Sequence, residues 1–392
     1  MSTLSIFYRV LATGLISGLA GASFAAEKLE LTRQRDSLGF DPPIRISITG
    51  FPSEVESVLK FDLLFMGFTN VPPDQAKYLV NGTTSPGIGA RVVERVNRNE
   101  VLAKAFTGGT QRSQIHSLAD VIAETITQKP GIAKTKIAFK VDTGATSEIY
   151  VSDYDGHSPQ AVTQDRTIVA APCWAGPSML LYTSYKNGKP DIFSHDLGSA
   201  ARKPVARYPG LNTSVAVSAD RRKLAMILSK SGSPDLYVSD LDGSNLKQLT
   251  TTKEEEATPC WSPDGQQLCF FSRKDGAAAL YKISVNGGSM TRLPTIGAPT
   301  PTEPDWSPDG RFIVFTSMAG RFFNICLVPA QGGEAMVLTT GEDPSWAPNS
   351  RAVVFARRQG GTRVLSLLDV PTKQVKDIGR ISGSNSQPSW AK

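Results

Sequence analysis

Carboxylates cluster at one point of a recurring sequence pattern, each a few residues before a tryptophan. They lie in "EEEATPCW", "PTEPDW" and "GEDPSW" and comprise Glu255, Glu256, Glu303, Glu342 and Asp343. Such groups can act as general acid and base on a polymer substrate, but that chemistry needs two carboxyl groups at a fixed short separation in a pocket. They can also attract a cationic partner. The sequence shows no isolated pair, which favours the electrostatic role.

The more conspicuous carboxylates have a structural explanation. Asp264 and Asp309 stand in Ser-Pro-Asp-Gly turns, where an Asp side chain bonds the local backbone. The turn recurs along the chain, whereas an active site is rarely copied around a repeat. The segments "SDYDG" and "SDLDGSN" begin like a calcium loop, but the twelfth positions, Gln164 and Thr251, are not the glutamate that such a loop requires. Strand-connecting turns are therefore predicted.

Catalytic, metal and cofactor motifs are not found in the sequence. The three histidines, His116, His157 and His195, share no metal-binding spacing, and we expect them to lie far apart on a helix, a turn and a strand. There is no G-x-S-x-G, P-loop or dinucleotide fingerprint. We therefore predict no catalytic residue, no metal and no cofactor. The formal charge of +6 is spread thinly and forms no basic block, so no nucleic-acid partner is predicted.

The N-terminus has the layout of a secretory signal peptide. A single basic residue, Arg9, precedes an apolar stretch and small residues around Ser23 and Ala25, which predicts a signal peptide over residues 1–25 with cleavage near Ala25. The alternative is a membrane anchor, but Val10–Ala25 is shorter than the roughly 20 residues that span a bilayer, and direct membrane insertion is not predicted. Export places the cysteines, Cys173, Cys260, Cys269 and Cys326, in an oxidising compartment. A Cys260–Cys269 disulfide and buried free thiols are both compatible with the spacing.

The tryptophans reveal an internal repeat. After a first step of 87 residues they follow at 45, 40 and 44, and the slot missing from the first step falls at Val217 in "SVAVSADRRKLAMIL". Each anchor but the last precedes a tight turn and then short strands. A repeat of about 40–45 residues with four strands is typical of a β-propeller blade. The anchors are Trp174, Val217, Trp261, Trp306, Trp346 and Trp390.

The strand after the turn occurs six times, which predicts a mainly β protein with a six-bladed β-propeller of four-stranded blades over residues 132–392. We expect Pro388–Ala391 to supply the innermost strand of the first blade and to close the ring. The preceding segment, residues 26–131, reads as a small α+β N-terminal domain. It combines the alternating strand "IRISITGF", the helical "SEVESVLKFDLLF", three further strands and the helical "QIHSLADVIAETITQ".

The residues just before each anchor are expected at one rim of the propeller channel, with Asn212 among them. The functional interpretation is a negatively charged docking mouth for a partner's Lys or Arg. The alternative is the solvated polar rim that any propeller needs. The predicted partner-binding residues of this rim are Glu255, Glu256, Thr258, Thr302, Glu303, Glu342, Asp343, Ser214 and Gln387.

The whole arrangement resembles the TolB family, the periplasmic component of the Tol-Pal system. The resemblance rests on the domain order, on "HSLADVIAETITQKPGIAKTKIAF", on "SEIYVSDYDGHSPQAVT" and on the "WSPDG" series. It implies a non-enzymatic, monomeric periplasmic protein that supports outer-membrane integrity and cell division. The propeller would bind a Pal-like peptidoglycan-associated lipoprotein. An N-terminal arm would bind a TolA-like inner-membrane-anchored protein through Glu27, Lys28, Leu29, Glu30, Leu31 and Arg33.

Two features of the sequence depart from the family pattern, and a second function competes with the one that the resemblance implies. Val217 replaces an aromatic anchor, and the arm is rich in charge. The competing function is a secreted propeller hydrolase or lyase that acts on a polymer, with channel carboxylates as acid and base.

Overall fold

The structure is a computed structural model that describes residues 38–379 and 383–392. The predicted signal peptide, its cleavage near Ala25 and the predicted N-terminal arm lie outside the described residues. In the described part, no helix combines the length and apolar character needed to cross a bilayer.

The N-terminal part is an α+β unit whose elements agree with the sequence pattern. A five-stranded sheet has the order β2-β1-β3-β4-β5, in which β1 runs parallel to both neighbours and β3, β4 and β5 are antiparallel. A single 3-10 turn, Pro73–Gln75, was not anticipated, nor was the short β2. The elements are β1 (Ile44–Thr49), α1 (Ser53–Phe65), β2 (Phe68–Asn70), β3 (Tyr78–Thr83), β4 (Ile88–Glu94), β5 (Glu100–Phe106) and α2 (Gln111–Thr127).

Both helices form because their apolar side chains recur at helical spacing. In α1, Val55, Leu59 and Leu63 are buried four residues apart on one face. Helix α2 begins after Thr110, whose hydroxyl accepts the backbone N–H of Ser113 at 3.1 Å as an N-cap. It carries a buried apolar stripe that packs with α1 in the same core.

Residues from 136 onwards form the six-bladed propeller that the repeat predicted. Each blade is a four-stranded antiparallel sheet. Blade 1 contains β6 (Lys136–Asp142), β7 (Ser147–Asp153) and β8 (Gln160–Ala161); blade 2 contains β9 (Val169–Trp174), β10 (Met179–Ser184), β11 (Asp191–Asp196) and β12 (Arg202–Ala206); blade 3 contains β13 (Asn212–Val217), β14 (Lys223–Leu228), β15 (Asp235–Asp240) and β16 (Lys247–Gln248).

The second half of the ring has two longer hairpins and a closing strand. Blade 4 contains β17 (Glu256–Trp261), β18 (Gln267–Ser272), β19 (Ala279–Ser284) and β20 (Thr291–Leu293), and the short β21 (Thr295–Ile296) follows it. Blade 5 contains β22 (Pro301–Trp306), β23 (Phe312–Ala319), β24 (Phe322–Pro329) and β26 (Met336–Thr340), and the short β25 (Gly333–Glu334) pairs with β21 in a separate two-stranded sheet. Blade 6 contains β27 (Glu342–Trp346), β28 (Ala352–Gln359), β29 (Thr362–Asp369) and β30 (Gln374–Asp377), and β31 (Ser384–Trp390) returns to pair with β6 in blade 1.

The anchor residues end the innermost strands, and several of them join neighbouring blades. The indole N–H of Trp174 donates to the carbonyl of Ser389 at 3.1 Å, and that of Trp346 donates to the carbonyl of Asp305 at 3.1 Å. These carbonyls belong to the inner strand of the preceding blade. Tryptophan recurs there because it fills the space between blades and also supplies a donor for an inner-strand carbonyl.

The Ser-Pro-Asp-Gly turns follow the inner strands and are structural, as predicted. Asp309 accepts the Ser307 hydroxyl at 2.7 Å and the Arg311 backbone N–H at 3.2 Å. In the equivalent turn of blade 4, Asp264 accepts the Ser262 hydroxyl and the Gln266 backbone N–H. We call the propeller face that carries these turns the turn face, and the opposite face, where the inner strands begin, the open face.

The N-terminal domain sits on the turn face. The Asn349 side-chain amide donates to the carbonyl of Phe65 at 2.9 Å, and the Tyr154 hydroxyl donates to Asp62 at 2.5 Å. Phe40 stacks on Phe312 with ring centroids 5.7 Å apart. These contacts involve blades 1, 5 and 6, and the part of the N-terminal domain that the structure describes leaves the open face clear.

Candidate functional site: the propeller channel and the open face

A cavity of about 620 Å³ lies on the axis of the propeller between the six inner strands. Eight prolines and four of the anchor tryptophans contribute to its wall, and at the turn face it includes Arg221 and Lys392. Lys392 pairs with Asp305 at 2.7 Å, and the Arg221 guanidinium donates to the Lys392 carbonyl at 2.8 Å. Both cations at this end of the cavity are therefore held by neighbouring oxygen atoms. Of the predicted rim residues, Glu255, Glu256, Thr302 and Glu342 do not line it.

At its other end the cavity is lined by one left-handed residue from each inner strand. These six residues have φ between 47° and 56° and each lies in a β-bulge, where the pairing with the second strand of the blade shifts register. We call them the bulge ring. They are Ala171, Ser214, Thr258, Glu303, Asp343 and Gln387.

Four of the six bulge-ring residues are joined by a chain of hydrogen bonds from blade to blade. Glu303 accepts the backbone N–H of Asp343 at 3.0 Å, Asp343 accepts that of Gln387 at 2.9 Å, and Gln387 accepts that of Ala171 at 2.9 Å. The chain ends at Ala171, whose methyl side chain carries no acceptor atom. Of the other two residues, Thr258 has a buried hydroxyl without a hydrogen-bond partner among the described residues. Five of the predicted rim residues are thus brought together here, inside the channel rather than on its rim.

The surroundings of the Asp343 carboxyl group disfavour its ionised form. Burial raises its pKa well above the ordinary value, and the adjacent charge of Glu303 raises it further. The Glu303 carboxylate is itself held by the Thr316 hydroxyl at 2.6 Å. The two groups therefore contribute less negative potential than two free carboxylates, and both are committed to internal hydrogen bonds.

Glu256 and Asn212 were expected at an exposed rim, and the structure contradicts this. Glu256 is 1% exposed and Asn212 is fully buried. The Glu256 carboxylate accepts the backbone N–H of Leu236 at 3.1 Å and the hydroxyl of Thr252 at 3.1 Å, and it also bonds Thr250. Asn212 donates to backbone carbonyls of the segment before it. Both side chains fasten a connecting segment to the first residue of an inner strand, and neither is available to a partner.

The remaining carboxylates also fail to form a negative mouth. Glu342 is 8% exposed and bonds the Arg363 guanidinium, with Arg358 at 3.7 Å. Glu255 is exposed but lies 3.6 Å from Arg273. Thr302 is half-buried within β22. Most carboxylates of the predicted docking mouth are therefore buried or paired with arginine, and the binding of a partner at this rim stays a prediction.

Basic and apolar side chains dominate the exposed hairpins of the open face instead. Strands β23 and β24, like β28 and β29, have eight residues where the corresponding strands of blades 2–4 have six. All of these hairpins have 18 residues in total, so in blades 5 and 6 the strands stay paired up to a two-residue turn where blades 2–4 have a six-residue connection. Phe322 at the tip of the blade 5 hairpin is 71% exposed and Met318 is 39% exposed. Exposed cations of this face are Lys186, Lys230, Arg273, Lys274, Arg321 and Arg358.

Two of the histidines meet at one carboxylate, although the sequence suggested that they lie far apart. His116 in α2 and His157 in the turn after β7 both face Asp155. In the described part of the chain, Asp62, His116 and Asp155 form the single group whose atoms are close enough to share a metal ion. The Arg112 guanidinium already bonds Asp155 and supplies the positive charge that a metal ion would bring to this group. His195 is remote, in blade 2, with its ring 3.2 Å from the Tyr182 hydroxyl.

The fold and site define a six-bladed β-propeller with an α+β domain on its turn face and a channel lined by a bulge ring. A family model described as the TolB β-propeller domain matches residues 123–392. The chain belongs to this family.

Curated relatives named Tol-Pal system protein TolB match part of the chain. The protein of Bordetella pertussis is 34% identical over 148 residues, which cover 36% of this chain and 34% of the relative. That of Nitrosomonas europaea is 30% identical over 193 residues, which cover 42% of this chain and 45% of the relative. The chain thus spans between a third and a half of the length of these relatives.

The fold matches over a longer stretch. The crystal structure of TolB from Acinetobacter baumannii superimposes with a TM-score of 0.77 at 23% identity, and the match covers 90% of this chain and 97% of that one. At this level of identity the likeness is one of fold.

Proposed function

We propose that this protein is a non-enzymatic periplasmic component of a Tol-Pal system. Family membership and the names of the curated relatives support this proposal. The chain would divide into a signal peptide (1–25), an N-terminal domain (26–131) and the propeller (132–392). As a monomer it would connect a Pal-like lipoprotein, bound by the propeller, to a TolA-like protein, bound by the N-terminal arm. Outer-membrane integrity and cell division would depend on this connection.

The observation that carries the propeller's binding role is the exposed hairpin of blade 5 on the open face. Phe322 is 71% exposed at the tip of a hairpin whose strands stay paired up to a two-residue turn, and Arg321 beside it is also exposed. Aromatic and arginine side chains are enriched in protein interfaces. The described residues of the N-terminal domain leave this face clear, so a partner protein can approach it.

The test is the affinity of the purified protein for the Pal-like lipoprotein of the same organism, measured by calorimetry. Replacing a hot-spot side chain costs about 2 kcal/mol or more, which is roughly a 30-fold loss in affinity. We expect this loss for Phe322→Ala, which removes an exposed side chain and leaves the core intact. Met290→Ala, a half-buried residue of blade 4 away from the tip, serves as a control for apolar truncation.

Unchanged affinity in Phe322→Ala would refute the assignment of the surface, and no binding by the wild-type protein would refute the function itself. Charge reversal at Glu256 or Glu303 is unsuitable as a test, because both carboxylates hold internal hydrogen bonds and the substitution would disturb the fold.

The competing function is a polymer hydrolase or lyase, and one observation bears on it. Glu303 and Asp343 are neighbouring carboxyl groups in the cavity wall, and the pKa of Asp343 is raised by burial and then by Glu303. Their oxygens, however, accept backbone N–H groups of the next blade. Turnover of a cell-envelope polysaccharide that disappears in Asp343→Asn would support the enzyme, and equal inactivity of both proteins would count against it.

A further inference from the structure

A polar seam joins the N-terminal domain to the propeller along one side of α2. Arg112, His116 and Asp120 are spaced four residues apart and therefore lie on the same side of the helix. Arg112 bonds Asp155 in the turn after β7, and Asp120 accepts the backbone N–H of Ala133 at 2.7 Å. The seam thus fastens α2 both to blade 1 and to the segment that connects the two parts of the chain.

His116 is at the centre of the seam and faces a carboxylate from each side. Its Nδ1 lies 2.8 Å from Asp62 of α1, and its Nε2 lies 3.5 Å from Asp155 of the propeller. All three residues are at least 95% buried. The Nε2 atom is buried and has no hydrogen-bond partner within residues 38–379 and 383–392. A neutral imidazole has a single N–H and serves one carboxylate, whereas an imidazolium has two and serves both.

We propose that protonation of His116 tightens the contact between the N-terminal domain and the propeller, and that loss of this proton loosens it. The proton adds an N–H directed at Asp155, so that α1, α2 and blade 1 are held by one bridging cation. Without it, Asp62 and Asp155 are two buried carboxylates with only Arg112 and hydrogen bonds to compensate them. Buried charges of this kind are strongly unfavourable unless they are paired.

The pKa shifts of His116 and of most groups around it also favour a tighter domain contact at lower pH. Burial opposes the imidazolium, but the hydrogen bond and charge of Asp62 outweigh it and the pKa of His116 is raised. Burial also raises the pKa of Asp62, and it raises that of Asp120 to about 6. Asp155 is the exception, because Arg112 outweighs burial and lowers its pKa. The other groups that face the seam are the Tyr154 hydroxyl and His157.

The directions of these pKa shifts determine how the stability of the domain contact changes with pH. A raised folded pKa at His116 gives stabilisation that is complete below about pH 6.5 and is lost as the pH rises through the folded value. Asp62 and Asp120 act in the same direction at lower pH. Only Asp155 opposes them, and its contribution is lost below its ordinary range near pH 4. We therefore expect the domain contact to be tightest in mildly acidic solution and to weaken in alkaline solution.

The experiment combines two measurements on the full-length protein between pH 5.5 and 9. Imidazole resonances of the three histidines give the titration of His116 by NMR, assigned with His116→Gln. Hydrogen exchange of the segment Asp153–His157, corrected for the intrinsic effect of pH, reports on the domain contact. We expect protection to fall several-fold over the pH range in which His116 loses its proton.

Variants separate the seam from other titrations. His116→Gln should lose the part of the pH dependence that follows the His116 titration and keep only the part due to Asp120 near pH 6, whereas His157→Gln, which removes the other histidine on Asp155, should keep the wild-type profile. Asp62→Asn should move the His116 titration to lower pH and the loss of protection with it. The proposal is overturned if wild-type protection does not change while His116 titrates, or if His116→Gln shows the full wild-type change. The wild-type and Asp62→Asn measurements decide the question even if His116→Gln does not fold.

Discussion

Glu256 makes the stability of the propeller depend on pH in a direction opposite to that of most carboxylates. Its carboxyl group is 1% exposed, and burial raises its pKa from 4.5 to about 7 despite the hydrogen bonds from Thr250 and Thr252. Folding therefore favours the protonated form. The contribution of this group is complete below about pH 4.5 and is lost as the pH rises through about 7.

The pKa shift of Glu256 sets the size of its effect on the free energy of unfolding. One pKa unit corresponds to about 1.4 kcal/mol, so the ionised group costs about 3 kcal/mol relative to the protonated group. Glu256→Gln removes the ionisation and preserves the shape. The amide oxygen still accepts the N–H of Leu236 and the hydroxyl of Thr250, and the amide nitrogen can donate to Thr252. We expect the variant to exceed the wild type by less than about 1 kcal/mol at pH 5 and by up to about 3 kcal/mol at pH 8.

Urea unfolding at pH 5, 6, 7 and 8, followed by tryptophan fluorescence, measures this difference. All five tryptophans end inner strands of the propeller, so the signal reports on that part of the molecule. Other titrating groups are common to both proteins and cancel in the comparison. Glu255→Gln, next in the chain but exposed, is the matched control and should stay within about 0.5 kcal/mol at every pH. A difference between Glu256→Gln and the wild type that is flat with pH, or negative at pH 8, would refute the reasoning.

Two further predictions concern hydrogen bonds between parts of the chain. Trp346→Phe removes the donor to the Asp305 carbonyl and should lower the free energy of unfolding by at least about 1 kcal/mol in urea titrations, more if the smaller ring leaves a cavity; no change would mean that the bond is compensated by water. Gly131→Ala would place a Cβ 2.1 Å from the Asp120 carboxylate and displace it from the Ala133 amide, so we expect faster trypsin cleavage in the connecting segment. Wild-type cleavage kinetics in that variant would contradict this contact.

Much of the architecture is readable from the sequence because the features that encode it are local. The tryptophan spacing predicts six blades even where Val217 replaces the aromatic anchor, since the turn and the following strand keep their pattern. The assignment of Asp309 to a turn is correct for the same reason, because its hydrogen-bond partners, Ser307 and Arg311, are two residues away. Helix α1 begins and ends at the residues that its apolar spacing indicates.

The candidate site is less predictable, because exposure depends on contacts between distant segments. The repeat places Glu256 and Glu303 at the start of inner strands, but a bulge in each strand turns Glu303 into the channel. Glu256 is enclosed by blade 3, where it accepts the backbone N–H of Leu236. The exposed Phe322 and the fully paired hairpin beneath it gave no signal in the repeat, because the hairpins of blades 2–5 have the same number of residues and differ only in how far the strands stay paired.

The sequence by itself determined the kind of protein: a repeated four-stranded unit, an α+β domain before it and a resemblance to the TolB family. Each of these follows from patterns within some forty residues. Only the tertiary structure decided which polar groups are buried, which are paired and which remain for a partner. His116, Asp62 and Asp155 show the reason, since they come from two helices and a propeller turn and become one charged cluster only when the domains pack together.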